Sequence, residues 1–385
     1  MADDAPLLLD VTRLVWRRWV GRHPTGIDRV CLSYLEHFAP QAQAVIHHRY
    51  FRGIVDRHAS QELFAILLEP PAGFRAALVK AFLRHLGGMR GKARRRLYLN
   101  IGHTGLDSQG FRAWVDRTGV RPVYFVHDLI PMTDPEYCRS GEDERHRARM
   151  RTVLSTASGV IGNSQSTLDE LARFSATENL PYPPTLAAWL GETPFQPPLG
   201  PAEPDRPTFV VLGTIEARKN HLLLLNIWRR LVERLKADAP QLLIIGQRGW
   251  EAAEVCGMLD HLGPLSGHVI ECGNCSDEEV ALHLATARAL LFPSKAEGFG
   301  LPLVEALRLG VPVIASSLPV FEEIGQGVPM LLDPSDEAAW ETAIIDYAQP
   351  VSAARDAQLR RMASFRPPTW KGHLDAVENW LSTLL

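Results

Sequence analysis

Short apolar runs alternate with helix-like stretches through the first 175 residues of the chain. The runs are apolar at successive positions rather than at every second one, which is typical of parallel strands buried on both faces. They predict strands at 6–11, 44–46, 97–101, 123–126 and 159–161. Between them, helices are predicted at 26–38, 61–68, 71–86, 110–117, 142–155 and 166–174. This alternation indicates a doubly wound α/β domain.

A second alternating series begins at residue 208. Its strands are predicted at 208–212, 242–245, 268–271, 289–292, 313–315 and 330–332. Its helices are predicted at 220–236, 250–260, 277–287, 302–309 and 319–324, and residues 335–365 are also predicted to be helical. The series indicates a second doubly wound domain of about the same size as the first.

Two further segments complete the predicted organisation. Prolines crowd between residues 175 and 207, which is typical of an interdomain connection. The last helix carries apolar residues near helical spacing and needs a partner surface. We predict a first Rossmann-like domain at 1–175, the connection at 176–206, a second Rossmann-like domain at 207–366 and a C-terminal helix at 367–385. The two domains would face each other across a cleft, since open α/β sheets bind ligands at the carboxyl ends of their strands.

Composition and charge exclude several classes of protein. The 385 residues are 46% hydrophobic and 22% charged, as expected for globular domains with full cores. The formal net charge of −3 gives no indication of nucleic-acid binding. No apolar run approaches the ~20 residues of a membrane-spanning helix. The acidic start, Met1-Ala-Asp-Asp4, is unlike a signal peptide, so we expect a cytoplasmic protein for which any membrane contact is peripheral.

Several familiar chemical motifs are missing. The sequence has no GxGxxG after a strand, no GxxxxGK[ST], no GxSxG, no HExxH and no Asp-x-Asp pair at a strand end. Five cysteines, an odd number, are typical of reduced cytosolic thiols. Cys272 and Cys275 form a lone CxxC, which favours a strand end and a loop over a zinc or redox site.

The stretch 292–310 combines a strand end, a glycine turn and a helix start. A helix that begins near Gly300 leaves unpaired N–H groups and a partial positive charge, so it can hold a phosphate or a polyhydroxyl ligand. Glu297 lies in the turn, and Glu305 lies about one turn inside the helix. Two carboxylates so placed can contact two parts of one elongated ligand.

Two other loops of the second domain carry cations. Gly213 permits a close backbone approach, and Arg218 with Lys219 suits a diphosphate. Cations near a helix start oppose the helix dipole, which favours an anionic ligand over a solvated pair. Arg248 lies in another glycine turn, where it either contacts a nucleotide or caps the loop.

The first domain offers two weaker candidates and a basic run. Thr25 and Gly26 lie at a predicted helix N-terminus, a second place for phosphate oxygens. His127 follows the strand 123–126, from which it could donate to a sugar hydroxyl or shape an acceptor pocket. The run 84–96 is either a solvated face or a contact for anionic lipid headgroups or a lipid pyrophosphate acceptor.

Together these motifs resemble those of the retaining glycosyltransferases of family 4, which have the GT-B fold. Glu297 and Glu305 form the E-x7-E pattern of that family, and the similarity extends to residues 213–220 and 246–250. The first half is similar more loosely, at Thr25-Gly26, His127-Asp128 and Asn163-Ser164. Residues 10–12 and 25–30 resemble bacterial mannosyl- and rhamnosyltransferases of surface-polysaccharide assembly. The family's Gly-Gly phosphate loop is replaced here by residues 24–27.

The resemblance implies a role for each candidate residue. Glu297 would contact the donor sugar and Glu305 the nucleotide ribose. Arg218 and Lys219 would neutralise the leaving diphosphate, with His127 beside the donor sugar. Further donor contacts are implied for Phe299, Gly300, Leu301, Gly213, Thr214, Arg248, Thr25 and Gly26. No metal ligand is implied, and the terminal helix would cross back to the first domain.

The sequence therefore predicts an α/β protein of the GT-B fold that is a retaining hexosyltransferase without cofactor or metal. The expected donor is a nucleotide sugar, with GDP-mannose preferred and dTDP- and UDP-sugars as alternatives. The acceptor would be an oligosaccharide or a lipid-linked glycan of O-antigen, capsule or exopolysaccharide synthesis, at the cytoplasmic face of the inner membrane. Two other functions stay open: a nucleotide-sugar 2-epimerase, which acts on the donor alone, and a non-catalytic GT-B subunit that binds glycans.

Overall fold

A computed structural model describes residues 6–21, 26–48, 51–84, 93, 95–191, 206–249 and 251–385. The chain forms two compact units. One comprises Met1–Leu190 with Trp370–Leu385, and the other comprises Gly191–Thr369. Each unit is built on one sheet.

The first unit contains a seven-stranded sheet in the order β3-β2-β1-β4-β5-β6-β7. Its strands are β1 (Leu7–Asp10), β2 (Ala42–His48), β3 (Phe51–Ile54), β4 (Leu97–Asn100), β5 (Arg121–Val126), β6 (Gly159–Gly162) and β7 (Thr185–Ala187). Its helices are α1 (Thr12–Trp19), α2 (Gly26–Phe38), α3 (Arg57–Leu68), α4 (Phe74–Arg84), α5 (Phe111–Thr118), α6 (Ile130–Thr133), α7 (Glu142–Thr156) and α8 (Gln165–Thr177). Only β3 runs antiparallel, against β2, among the strands of this sheet in the described ranges.

The order of the first sheet reverses beside β1. Leu9 of β1 pairs with Ala44 of β2 on one side and with Leu99 of β4 on the other. Strands β1 and β4 are buried throughout, because helices cover both faces of such a sheet. The loops that follow β1 and β4 therefore leave the sheet at its switch point, where open α/β sheets bind ligands.

The second unit contains a six-stranded parallel sheet in the order β10-β9-β8-β11-β12-β13. Its strands are β8 (Thr208–Leu212), β9 (Gln241–Ile245), β10 (Val269–Cys272), β11 (Ala289–Phe292), β12 (Val313–Ser316) and β13 (Met330–Leu332). Its helices are α9 (His221–Leu235), α10 (Ala253–Asp260), α11 (Asp277–Ala285), α12 (Leu301–Arg308), α13 (Pro319–Gly325), α14 (Glu337–Ala348) and α15 (Ala353–Met362). The order reverses between β8 and β11, so this sheet has its own switch point.

The last helix, α16 (Trp370–Thr383), packs on the first unit, which confirms the predicted return of the chain. His373 is buried in this contact. Its Nε2 lies 2.9 Å from the hydroxyl of Tyr34, and its Nδ1 lies 3.1 Å from the carbonyl oxygen of Trp189. The sequence pattern identifies the apolar residues of α16 but not this histidine.

Some parts of the secondary-structure prediction are wrong or incomplete. Helix α1 and strand β3 are not predicted, because both lie in short segments with mixed polar and apolar residues. Strand β7 lies inside the predicted connection 176–206, so the first unit extends to Leu190 rather than to residue 175. Its three residues follow two prolines and give no periodic signal. The segment 335–365 is predicted to contain helices, and the structure shows two, α14 and α15, with the side chain of Ser352 capping the start of α15.

The cysteine prediction also needs correction. Cys272 and Cys275 are joined by a disulfide, so the expectation of five reduced thiols does not hold for this pair. Cys272 ends β10, and the following turn brings the two Cα atoms to 6.2 Å, within disulfide range. None of the helices in the described ranges combines the length and apolar character needed to cross a bilayer.

Candidate functional site

A cluster of charged side chains lies at the switch point of the second sheet. The loop after β8 ends in a short 3-10 turn, Ala217–Lys219, that carries both predicted cations. The loop after β11 carries Ser294 and Glu297. Because β8 and β11 are neighbours, side chains that are 78 residues apart in sequence come into contact.

The carboxylate of Glu297 is the centre of this cluster. It accepts hydrogen bonds from the Lys219 ammonium and, at 2.8 Å, from the Ser294 hydroxyl. The guanidinium of Arg218 lies 3.1 Å from the same oxygen. Burial alone would raise the pKa of Glu297, but Lys219 and Arg218 outweigh it and lower the pKa to about 2. The group is therefore a firmly ionised carboxylate in a fixed orientation.

Both cations of the cluster already have carboxylate partners. Arg218 pairs with Glu216 at 2.6 Å and donates to the carbonyl of Ala296 at 3.2 Å. The Lys219 ammonium lies 4.9 Å from the centre of the Phe292 ring. Burial lowers the pKa of Lys219, and Glu297 opposes that change. Arg218 and Lys219 are therefore not a solvated pair. Glu216 and Glu297 balance the formal charge of the two cations.

The turn beside Glu297 requires glycine at position 300 for steric reasons. Gly300 has a φ of 103°, and a Cβ there would lie 2.6 Å from Cε1 of Phe321. Helix α12 begins at the next residue, Leu301, so its first amide groups lie beside the cluster. Phe299 and Glu305 are both 5% exposed, which places the second glutamate inside the helix near the protein interior.

The other loops of the second unit fit closely together. A Cβ on Gly246 would lie 2.0 Å from the carbonyl oxygen of Gly213, so these loops approach at the level of the backbone. Thr214 is exposed beside them. Arg248 donates to Glu271 and to Asp260, each at 2.7 Å. These contacts hold the loop of Arg248 to its neighbours, and the contact of Arg248 with a nucleotide stays a prediction.

A cavity of about 930 Å³ lies in the first unit, lined by the loops after β1, β4 and β5. His127 lines it and is buried, and its Nε2 lies 2.7 Å from the carbonyl oxygen of Ile101. Asn163 donates to the carbonyl of His127 at 2.7 Å, which fixes the backbone at this point. Burial lowers the pKa of His127 to about 4, so the ring is neutral at pH 7.

Two histidines that the sequence analysis does not name line the same cavity. His103 follows β4, and His146 lies within α7. A polar residue directly after a predicted strand is a signal that could have identified His103. His146 gives no comparable signal, because one histidine in an amphipathic helix is unremarkable in sequence.

Some predicted residues lie at the edge of the described ranges or beyond them. Gly26 begins α2, as predicted, but Thr25 lies outside the described residues. Most of the basic run 84–96 also lies outside them. Arg96 is described, and its guanidinium donates to the side chain of Gln43.

Residues 195–349 match the family model of glycosyl transferases group 1. This match lies within the second unit. The matched residues include the charged cluster of the second unit. This match confirms the resemblance noted in the sequence.

Two curated relatives from Escherichia coli are similar in sequence. The serotype-specific mannosyltransferase WbdA is 30% identical over an alignment of 234 residues, and the alignment covers 54% of this chain and 27% of the relative. The O-antigen chain mannosyltransferase B is 28% identical over 261 residues, with 65% of this chain and 67% of the relative covered. The chain thus spans about a quarter of the length of WbdA.

Solved structures share the fold of the whole chain. The Anabaena protein HepE, in complex with UDP, has a TM-score of 0.65 and is 16% identical. The alignment covers 98% of this chain and 99% of that one. The predicted pair of Rossmann-like α/β domains of the GT-B type is confirmed.

Proposed function

We propose that the protein is a retaining hexosyltransferase of surface-polysaccharide synthesis that uses a nucleotide sugar as donor. The observation that carries this proposal is the position of Glu297, a buried ionised carboxylate held by Lys219, Arg218 and Ser294 at the switch point of the second sheet. A carboxylate in that setting suits the hydroxyl groups of a bound sugar. The adjacent start of α12 suits the phosphates.

The names of the relatives support the choice of sugar. Two of them are called mannosyltransferases, and one of these is named for the O-antigen chain. We therefore prefer mannose, from GDP-mannose, and an oligosaccharide or lipid-linked glycan as acceptor. UDP in the HepE complex keeps a UDP-sugar as the second donor to test.

The cluster can supply the chemistry of the first bond cleavage. Breaking the bond between the sugar and the diphosphate builds negative charge on the leaving group. Arg218 and Lys219 would share their positive charge between the carboxylates and that diphosphate, while Glu297 orients the sugar and Glu305 contacts the ribose. Retention would follow from attack of the acceptor on the face that the diphosphate leaves, with a phosphate oxygen taking the acceptor proton. In this proposal, no metal ion takes part.

A screen of nucleotide sugars tests the donor. The true donor at 100 times its Kd should stabilise the chain by about 2.7 kcal/mol, which a thermal shift detects. Purified chain with that donor and a mannose-terminated acceptor should then release nucleoside diphosphate and form an α-linked product. Incubation with donor alone must leave the sugar configuration unchanged, because an epimerised donor would indicate the 2-epimerase. Binding of no nucleotide sugar would leave only a glycan-binding role.

Variants connect the activity to the cluster. Glu297→Ala, Arg218→Ala and Lys219→Ala should each abolish transfer while the chain stays folded. Arg229→Ala is the matched control, because Arg229 is an exposed cation on α9 of the same unit. Full activity in Lys219→Ala with ordinary donor affinity would contradict the diphosphate assignment. Loss of activity in EDTA that Mg²⁺ restores would contradict metal independence.

A further inference from the structure

A disulfide closes the turn that follows β10 in the second unit. Cys272 is the last residue of β10, and its sulfur is bonded to that of Cys275, three residues later. Both cysteines are half-buried, so neither is sealed in the core. Gly273 and Asn274 form an exposed bend, and no backbone hydrogen bond among the described residues closes it. The disulfide therefore fixes the geometry of this turn.

The end of β10 supports the loop that follows β9. β10 lies at the edge of the sheet and pairs with β9 among the described strands. Where this pairing ends, the amide of Gly246 donates to the carbonyl oxygen of Cys272 at 3.1 Å. Glu271, one residue earlier, accepts from the Arg248 guanidinium with both carboxylate oxygens, each at 2.7 Å. Two successive residues at the end of β10 thus hold the loop after β9.

The same loop reaches the charged cluster through backbone contacts. A Cβ on Gly246 would lie 2.0 Å from the carbonyl oxygen of Gly213, so these two backbones touch. A Cβ on Gly213 would in turn lie 3.3 Å from Cε of Lys219, whose ammonium pairs with Glu297. Contacts therefore run from the disulfide to the carboxylate of Glu297 through three residues.

Three other roles for the cysteine pair fit the structure less well. A disulfide that closes a four-residue loop restricts the unfolded chain less than one that closes a long loop, so its contribution to global stability is comparatively small. Cysteines of thiol-exchange catalysts are commonly activated at a helix N-terminus, whereas Cys272 ends a strand and α11 begins only at Asp277. The described residues contain no group of three His, Cys, Asp or Glu side chains placed to hold a metal ion. A local role, in the position of the loop after β9, agrees best with the contacts of Cys272.

We propose that Cys272 and Cys275 form a reversible thiol–disulfide switch that positions the loop after β9 and, through this loop, sets the affinity for the donor. In the oxidised chain, the closed turn holds the Cys272 carbonyl against Gly246, so the loop is preorganised for its ligand. In the reduced chain, the bend gains rotational freedom at Gly273, and this support weakens. The effect on the donor rests on the proposed function, whereas the effect on the loop rests on the contacts at the end of β10.

The exchange balances with a dithiol as the reductant. One thiolate of the dithiol attacks the sulfur of one cysteine, the protein S–S bond breaks, and the other cysteine leaves as a thiolate that takes up a proton. The second thiolate of the reductant then attacks the mixed disulfide and releases the first cysteine, which is also protonated. Two electrons pass to the protein pair, and the reductant ends as a disulfide. Glutathione disulfide reverses the change and ends as two molecules of glutathione.

Two measurements on the full chain test the switch without a ligand. After treatment with glutathione disulfide, iodoacetamide should label neither Cys272 nor Cys275, and after treatment with dithiothreitol it should label both, as peptide mass spectrometry reports. Hydrogen exchange of residues 245–249, followed by the same method, reports the loop. We expect exchange at Gly246 to be faster in the reduced chain and to return to its first rate on reoxidation, because its amide donates to Cys272.

A third measurement connects the switch to the donor. Calorimetry uses GDP-mannose, or UDP-glucose if GDP-mannose does not bind, and we expect the reduced chain to bind at least about fivefold more weakly. Transfer assays should show a higher donor KM in the reduced chain and an unchanged kcat at saturating donor. Cys275→Ser should bind as weakly as the reduced chain and should not respond to dithiothreitol. The matched control is Cys256→Ser, a free and half-buried cysteine on α10 of the same unit, which should respond as the native chain does.

The outcomes distinguish this inference from the proposed function. If iodoacetamide labels both cysteines after glutathione disulfide, or if exchange at Gly246 is equal in the two states, the inference is wrong. It is also wrong if the donor binds equally well in both states, or if reduction lowers kcat and leaves the donor KM unchanged. If exchange at Gly246 responds but no nucleotide sugar binds in either state, the proposed function fails and the control of the loop stands. Should Cys275→Ser fail to fold, dithiothreitol on the native chain decides the question, because it requires no substitution.

Discussion

Lys219→Met tests whether Lys219 and Glu297, in the charged cluster of the second unit, stabilise the fold as a coupled ion pair or contribute independently. Methionine keeps most of the length and apolar stem of lysine but removes the ammonium from Glu297. The carboxylate would retain Arg218 at 3.1 Å and Ser294 at 2.8 Å. The side chain of Glu297 is 8% exposed and that of Lys219 is 10% exposed. Water can therefore compensate little for the loss of the Lys219 ammonium charge.

The size of the effect follows from two estimates. Removing one partner of a buried ion pair costs about 3–5 kcal/mol. The pKa of Glu297 lies at about 2 against an ordinary value of 4.5. That difference of 2.5 pH units, at about 1.4 kcal/mol each, is about 3 kcal/mol. Because Arg218 and Ser294 remain, we expect Lys219→Met to destabilise the second unit by about 2–3 kcal/mol.

The double variant Lys219→Met/Glu297→Gln makes the test specific. It removes the uncompensated charge, so it should be at least ~1 kcal/mol more stable than Lys219→Met, although neither variant transfers sugar. The two units need not unfold together. Stability is therefore best measured by hydrogen exchange of the β8 and β11 amides. A double variant no more stable than Lys219→Met would refute the assignment of Glu297 and Lys219 as a coupled pair.

Two further predictions concern single sites. Gly300→Ala should destabilise the chain by about 2–4 kcal/mol in thermal melts, since it combines a φ of 103° with a contact of 2.6 Å to Phe321. Gly310→Ala, at a φ of 77° with open space around it, should cost only about 1 kcal/mol, and equal losses in the two variants would exclude the steric explanation. His127 has its pKa lowered by burial from 6.5 to about 4, so its contribution to stability is present above pH 6.5 and is lost as the pH falls to 4. His127→Gln should reduce the change in melting temperature over that range without abolishing it, because burial also lowers the pKa of His103, His146, His221 and His373. An unchanged slope would contradict the contribution assigned to His127.

The sequence alone predicts most strands and the glycine turns, because buried parallel strands are apolar throughout and helix starts follow them closely. It also places Glu297 and Lys219 each after a strand. Their contact is harder to predict, since it requires β8 and β11 to be neighbours, and strand order is a property of the folded sheet. The pairing of Lys219 with Glu297 changes the chemistry, because it turns two expected free cations into part of a balanced cluster.

The cavity of the first unit shows a second limit of sequence reasoning. His146 reaches its wall only because α7 packs beside the loop after β5, where its ring contacts the carbonyl of Asp128. Arg52 reaches it from β3, a short antiparallel strand that the apolar pattern does not reveal. Residues brought together by packing, rather than by a motif, leave no local signature in the chain.

The two units place different chemistry at equivalent points of similar sheets. At its switch point the second unit holds an ionised carboxylate between two cations, which suits an anionic leaving group. The first unit holds three imidazoles, those of His103, His127 and His146, each with Nε2 against a backbone carbonyl oxygen. Burial lowers the pKa of all three histidines, so the rings stay neutral at pH 7 and the first unit carries no imidazolium charge at this point.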